Sequence, residues 1–346
     1  MKTKLVFFGV ILFVGVFQFS CSSTRGMRIQ VQRPARITVD KNIQSLAILN
    51  HSMPGKQASI EGTLTLETPK RDKELSEECI SGVNNLLITS NRFEVRRCEG
   101  NMPASNPTSL DFGATISWEQ IDSLCSIYQT DAILALEFFD SDYSIFNPAA
   151  TAVNAVSDLL NGNGTQVEVI GKATARAGFR MYYPKTQSIV YQDRYSQALT
   201  WVQRSTNPVE AIAKLIQKND ALFEVSYYTG KMFANDLVPL YYWENRTMYK
   251  GKKGLMEIGE RQALAQDWEA AIVSWTEVYN TTAKSKNRAK AAFNIAFGQE
   301  VLGDLEKARQ WIRTSYVEGG KREAYEYSQI IEKRIRQAGI LEYQNQ

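Results

Sequence analysis

The side chains that could do chemistry in this chain are few, and they centre on its single histidine. His51 ends an apolar stretch beside Ser52, and Cys125 could lie nearby, so any nucleophile–histidine arrangement would have to use His51. Glu137 and Asp140 end a second apolar run and could form a carboxylate pair for glycoside hydrolysis. The same residues fit a loop histidine without a catalytic task and a solvated strand end better than they fit either catalytic arrangement. A hydrolase is therefore our least favoured hypothesis, and we predict that the protein is not an enzyme.

Metal and cofactor sites are not predicted either. One histidine and the lack of a CxxC pair exclude the usual zinc ligand patterns. Asp140-Ser141-Asp142 lacks the glycine and the distant glutamate of a calcium loop. No glycine-rich phosphate loop follows a predicted strand, which excludes a doubly wound nucleotide-binding domain.

The N-terminus has the composition of a bacterial lipoprotein signal peptide. Lys2 and Lys4 precede an apolar run over residues 5–17, and the small residue Ser20 precedes Cys21. The run is too short to cross a bilayer, which needs about 20 apolar residues. We predict a signal peptide over 1–20, a lipid (palmitate-type acyl chains) on Cys21 and a tether over 21–26. The alternative is a soluble periplasmic protein.

The expected location is the outer membrane, with the folded chain facing the periplasm. No acidic pair lies beside Cys21, which argues against retention at the inner membrane and against surface export. The formal net charge of the whole chain is +3, and loss of Lys2 and Lys4 with the signal lowers it to about +1. Such a chain lacks the basic excess of nucleic-acid-binding proteins, so nucleic acid is not an expected partner.

Three cysteines remain once Cys21 is assigned to the lipid. Cys79 falls on a predicted helix and Cys98 on the strand that follows, so this pair could form a disulfide in an oxidising compartment. The alternative is that Cys79, Cys98 and Cys125 are all small buried apolar side chains. The sequence leaves both open.

Residues 27–253 are predicted to form a mixed α/β domain. An amphipathic helix over 73–90 lies between strands, and Ser117 is a plausible N-cap for a second helix over 118–128. The run over 132–139 is apolar almost throughout, as in a central strand covered on both faces. The later predicted elements are a loop over 147–164, a hairpin of strands over 166–183 and 188–198, a helix over 208–233 and a strand over 237–249.

Residues 254–346 are predicted to be all-helical, which makes the whole chain α+β. Helix–turn–helix units recur over 255–279 and 286–317, with Ala271 and Ala308 at matching places and a capping helix over 323–337. Small residues at such places let paired helices approach to about 8–10 Å. The stretch from Ala296 to Ala308 resembles a tetratricopeptide repeat.

The concave surface of such repeats is formed by first-helix side chains. Counting from the alanines, it should display Met256, Glu260, Lys290, Asn294 and Phe297. Lys290 and Asn294 lie four apart on one helical face, a spacing that could hold a peptide carboxylate. The functional interpretation is a peptide groove, and the alternative is an ordinary solvated face.

Two resemblances extend this interpretation. The first domain resembles the small α/β domains of curli-secretion and penicillin-binding-protein-activator lipoproteins. The resemblance rests on three short sequence matches, Pro34-Ala35, Asn42-Ile43 and Ile48-Leu49-Asn50. The whole chain resembles bacterial (Bacteroidota-like) envelope lipoproteins with C-terminal tetratricopeptide-like repeats. This implies a membrane-anchored, non-enzymatic adaptor that binds an envelope protein or peptide. The alternative is an oligomeric component of an envelope secretion or assembly complex.

Overall fold

A computed structural model describes residues 23–52, 69–90, 92–99, 102, 111–146 and 167–345. The predicted signal peptide, Cys21 and the predicted loop over 147–164 lie outside these residues. The α+β fold class is confirmed: two sheets are followed by a C-terminal run of helices. Among the described helices, none is long and apolar enough to cross a membrane.

The elements follow the predicted order. The strands are β1 (Thr24–Arg33), β2 (Ser45–Asn50), β3 (Glu94–Arg97), β4 (Ala132–Phe146), β5 (Val167–Tyr183), β6 (Ser188–Ser205) and β7 (Leu240–Tyr249). The helices are α1 (Pro69–Ser90), α2 (Trp118–Tyr128), α3 (Pro208–Ala213), α4 (Lys218–Leu237), α5 (Leu255–Leu264), α6 (Trp268–Thr281), α7 (Ser285–Val301), α8 (Leu305–Gly319) and α9 (Arg322–Gln344). Strand β1 begins inside the stretch predicted as a tether.

The chain divides into two compact units. Among the described residues, the mixed unit comprises those within 32–242 and 337–345, and the helical unit comprises 23–31 and 243–336. The first β1 residues therefore group with the helices. The predicted domain boundary after residue 253 stays a prediction.

The larger sheet has the order β3-β2-β4-β5-β6. Strand β2 runs parallel to β3 and β4, whereas β4, β5 and β6 are antiparallel. The start of β4, predicted as a central strand, is buried from Ala132 to Phe138, which confirms that prediction. One face of the sheet packs against α1 and α4 around Phe179 and Phe233, and the other packs against α2 around Ile121 and Tyr182. Ser117 caps α2 in a capping box with Gln120, as the sequence predicted.

Helices α1 and α4 approach each other at two glycines. A Cβ atom on Gly230 would collide with the carbonyl oxygen of Cys79, and one on Gly82 would collide with the carbonyl oxygen of Tyr227. Only hydrogen fits at these positions, so the helix pair depends on both residues being glycine.

The helix predicted over 208–233 is wrong in its continuity and its end. The chain leaves the helix after Ala213 and re-enters it at Lys218, with Leu215 between them buried against Val167 and Val169 of β5. The burial of Leu215 against β5 accompanies this break in the helix. Helix α4 then continues to Leu237, so the last strand starts three residues later than predicted.

The two helical hairpins of the helical unit have the same type of turn. Gln266 and Gly303 adopt left-handed backbone angles, with φ of 66° and 86°. Each is followed by an aspartate N-cap: Asp267 accepts a hydrogen bond from the amide of Ala270, and Asp304 accepts one from Lys307. The repeat seen in the sequence is therefore also a repeat of the backbone.

Candidate functional site

The predicted peptide groove begins with Asn294, which is fully buried. Its side-chain oxygen accepts a 2.7 Å hydrogen bond from the amide of Tyr249, and its side-chain nitrogen donates a 2.9 Å bond to the Tyr249 carbonyl. An amide side chain that pairs with both polar groups of one residue mimics a β-ladder partner. The peptide that Asn294 holds is the protein's own strand β7.

Lys290 lies against the same residue. Its ammonium nitrogen is 5.2 Å from the centre of the Tyr249 ring, a cation–π contact. Burial lowers the pKa of Lys290, and the neighbouring charges of Lys286, Lys252 and Lys321 lower it further. Lys290 therefore faces aromatic and cationic groups of its own chain.

Glu260 and Phe297 complete the predicted set, and both are buried. The Glu260 carboxylate accepts hydrogen bonds from Arg25 of β1 at 2.8 Å and from the amide of Gly251 at 2.9 Å. The Phe297 ring packs edge-on against Trp268, with ring centres 5.2 Å apart. All four candidates lie in the helical unit, where they serve its internal packing.

The prediction that these four residues line an open peptide groove is therefore corrected. The structure fills the first-helix face with residues of β1 and with the end of β7. Spacing along a helix identifies which side chains share a face, but it does not reveal that another part of the same chain covers that face.

The sequence analysis missed a pocket of about 490 Å³ in the helical unit. It is lined by residues of β1, β7, three helices and two hairpin turns: Met27, Arg28, Ile29, Gln30, Trp243, Gln266, Trp268, Glu300, Val301, Gly303 and Arg334. Because these residues are far apart in the chain, no local spacing rule would have grouped them. The lining includes the tryptophans Trp243 and Trp268 and the arginines Arg28 and Arg334. Both residue types are enriched at binding hot spots.

The floor of the pocket is a buried charge cluster around Glu300. Arg246 donates two hydrogen bonds to its carboxylate, from Nε at 2.9 Å and Nη2 at 2.8 Å, and Arg334 donates a third from Nη1 at 2.7 Å. The Tyr327 hydroxyl also donates to Glu300. Burial lowers the pKa of Arg246, but the hydrogen bond and charge of Glu300 outweigh it and leave this pKa above its usual value. The carboxylate is therefore fully engaged.

The rim of the pocket is more exposed. The Arg28 guanidinium lies 5.2 Å from the centre of the Trp243 ring, and Trp243 is 58% exposed. The Arg334 side chain is 19% exposed and bonds the described residues only through Nη1. Both arginines therefore have N–H groups available to a ligand.

The histidine proposed for catalysis lies in a second buried network, in the mixed unit. His51 Nδ1 is 2.9 Å from one carboxylate oxygen of Glu137, and the Tyr182 hydroxyl donates a 2.5 Å bond to the other. Glu137 occupies a β-bulge in β4, between the register pairs of Leu136 and Phe138. Burial raises the pKa of Tyr182, and its hydrogen bond to Glu137 raises it further, so the phenol holds its proton.

Within the described part of the chain, the other groups proposed for catalysis do not hydrogen-bond His51. The Ser52 hydroxyl donates to the Asn50 side chain, and burial raises the pKa of the Cys125 thiol to about 11. Asp140 accepts a 2.9 Å bond from Arg176 at the surface, so it forms no pair with Glu137. Among the described residues, no cluster of three or more His, Cys, Asp or Glu side chains could hold a metal ion.

The three described cysteines are free. Cys79 lies in the core between α1 and the sheet, whereas Cys98 packs with Cys125 in the cluster on the other face of the sheet. Of the two possibilities that the sequence leaves open, the Cys79–Cys98 disulfide is not formed in this structure, because the sheet separates the two side chains.

Comparisons with known proteins give a family for the chain. No curated protein matches its sequence. Solved structures similar to it include the PelC dodecamer from Paraburkholderia phytofirmans, at 12% identity over 62% of this chain and 99% of that one, with a TM-score of 0.25. Another is a neuraminyllactose-binding hemagglutinin homolog from Helicobacter pylori, at 11% identity over 67% of this chain and 94% of that one, with a TM-score of 0.29.

Two family models match the sequence. One, described as Domain of unknown function (DUF6340), matches residues 257–334, within the run of helices. The other, described as Domain of unknown function (DUF8603), matches residues 43–249. Because that match covers more than half of its length, the chain belongs to the family described as Domain of unknown function (DUF8603).

Proposed function

We propose that the protein is a lipid-anchored, non-enzymatic interaction module at the outer membrane, facing the periplasm. One observation carries the proposal: the helical unit keeps a pocket rimmed by Trp243, Arg28 and Arg334 although its first-helix face is already filled. Aromatic and arginine side chains around a partly buried pocket are typical of protein-binding hot spots. The pocket, rather than the filled face, is where we expect a partner.

The network at His51 supports a structural role for these residues. His51 is 3% exposed and Glu137 5% exposed, and both carboxylate oxygens of Glu137 already have partners. A general base must reach the proton that it removes. Because the Ser52 hydroxyl donates to Asn50 and not to His51, the buried histidine–glutamate pair is better suited to holding β2, β4 and β5 together.

The anchor is tested by metabolic labelling with palmitate and membrane fractionation. The intact chain should incorporate label and sediment with outer membranes, whereas Cys21→Ser should do neither. A Cys21→Ser protein that stays wholly membrane-bound would contradict the lipid anchor.

The interaction function is tested by photo-crosslinking in the native envelope. A photoreactive phenylalanine analogue at position 243 should form an adduct with a discrete envelope protein. The control position is Ile127, which is 68% exposed on α2 of the mixed unit and lies outside the pocket. Equal adducts from both positions, or none from position 243, would overturn the proposal.

A second candidate is an oligomeric envelope component, and one observation favours it. Strand β6 runs for 18 residues and pairs only with β5 among the described strands. Such an edge is a template for pairing with another chain. Mass photometry of the detergent-solubilised protein should give a multiple of the chain's mass if this candidate is right.

A further inference from the structure

The pocket follows the edge of strand β1. Four consecutive β1 residues, 27–30, line it. Successive side chains of a strand point to opposite faces, so a cavity that touches all four lies along the edge of the strand. Among the strands that the structure describes, β1 pairs with β7 alone. Outside that pairing, no described residue hydrogen-bonds the main chain of residues 27–30.

An unpaired edge offers main-chain N–H and C=O groups in the spacing of a β-ladder. An extended peptide that adds to such an edge satisfies these groups and places alternate side chains toward the domain. Beside this edge the lining includes Ile29, Trp268 and Val301, which would accept an apolar side chain. Gln266 and Gly303 lie in the adjoining hairpin turns, so the pocket extends to the ends of the helices.

The charges around the pocket select an acidic ligand. Glu300 is the acidic lining residue, and it is fully engaged by Arg246, Arg334 and Tyr327. Three arginines, at positions 28, 246 and 334, and two carboxylates, those of Glu300 and of Glu244 beside Arg246, leave one net positive charge. Arg28 and the free nitrogens of Arg334 are the accessible donors, and guanidinium groups bind carboxylates strongly.

We propose that an extended, acidic segment of a partner protein adds to the free edge of β1 as a third strand. Its main chain pairs with residues 27–30, an apolar side chain enters beside Trp268, and a glutamate or aspartate meets Arg28 and Arg334. The inference rests on the proposed interaction function and names the class of partner.

The test uses protein labelled with 5-fluorotryptophan, with the Trp243 resonance assigned by Trp243→Phe. The probe is the blocked peptide acetyl-TVEFEV-amide, titrated while the fluorine spectrum is recorded. We expect a saturable shift of the Trp243 resonance. The neutral analogue acetyl-TVQFQV-amide should bind at least tenfold more weakly, and so should the acidic peptide with alternate amides N-methylated, because it cannot donate to a strand.

A matched pair of variants locates the site. Arg28→Gln should weaken binding of the acidic peptide about tenfold. Arg261→Gln, which removes an exposed arginine outside the pocket, should leave binding unchanged. The inference is wrong if the neutral or N-methylated peptide binds equally well, if the two variants behave alike, or if no peptide shifts the resonance.

These outcomes are distinguishable from failure of the proposed function. A crosslinked partner at position 243 combined with no preference for the acidic peptide would refute the strand-addition inference alone. Absence of any crosslinked partner would refute the interaction function itself.

Discussion

Asn294 and Tyr249 form a two-way contact in which one side chain replaces a neighbouring strand. The amide of Asn294 both accepts from and donates to the main chain of Tyr249, at 2.7 and 2.9 Å. This contact places the end of β7 on the helices that were expected to offer a peptide groove. It also explains why a buried asparagine stands among the apolar residues of α7.

Asn294→Ala should lower the free energy of unfolding by about 2 kcal/mol, because it leaves a buried N–H and a buried carbonyl without partners. The matched control is Asn245→Ala, at an exposed position of β7, which should change stability by less than about 0.5 kcal/mol. Urea denaturation measures both variants. Hydrogen exchange should also show faster exchange of the Tyr249 amide in Asn294→Ala. Equal effects of the two substitutions would contradict this role.

The sequence predicts much of the fold because local signals and burial agree. Apolar continuity over 132–139 identified the central strand, and the spacing of Ala271 and Ala308 identified the helical hairpins. The partners of elements were harder to predict. The pattern of β1 is that of an ordinary strand, but its pairing with β7 joins two chain segments more than 200 residues apart.

The site shows the same limit. Helical spacing led us to group Glu260, Lys290, Asn294 and Phe297 as one exposed face. It could not reveal that Arg25 of β1 binds Glu260 and that the end of β7 covers Asn294, because both are tertiary contacts. The pocket residues Arg28, Trp243 and Arg334 share no local pattern, so only the fold brings them together.

Gly230→Ala should lower the free energy of unfolding by about 2–3 kcal/mol, since overpacking a closed helix contact costs about 1–3 kcal/mol. Gly339→Ala is the control, because a Cβ there meets no atom within 4 Å. In that helix, alanine should raise stability by about 0.5–1 kcal/mol. Thermal denaturation of both variants measures the contrast. A neutral Gly230→Ala would mean that α1 and α4 are not in close contact.

Gln266→Gly should raise stability by about 0.5–1 kcal/mol, because a left-handed backbone strains any residue with a Cβ. The matching position in the second hairpin already carries glycine, and Gly303→Ala should lower stability by about 1 kcal/mol. Differential scanning calorimetry should therefore show shifts of opposite sign. Shifts of the same sign would contradict the shared turn.

The thiols should be free and slow to react. Burial raises the pKa of Cys98 to about 12 and that of Cys125 to about 11, so at pH 8 about one Cys125 thiol in a thousand is the reactive thiolate. Iodoacetamide should label both rapidly only after denaturation, and their native rates should still rise between pH 8 and 11. Non-reducing peptide mapping should find Cys79 and Cys98 unlinked, and a linked peptide would contradict the structure.

The central claim is that partners bind at the pocket rimmed by Arg28 and Trp243 and not at the face that β7 fills. Its most direct test is the Kd of the envelope partner captured at position 243, measured with the purified intact protein, Arg28→Gln and Lys290→Gln. We predict that Arg28→Gln raises the Kd about tenfold and that Lys290→Gln leaves it unchanged. A Kd that rises with Lys290→Gln and not with Arg28→Gln would contradict the account.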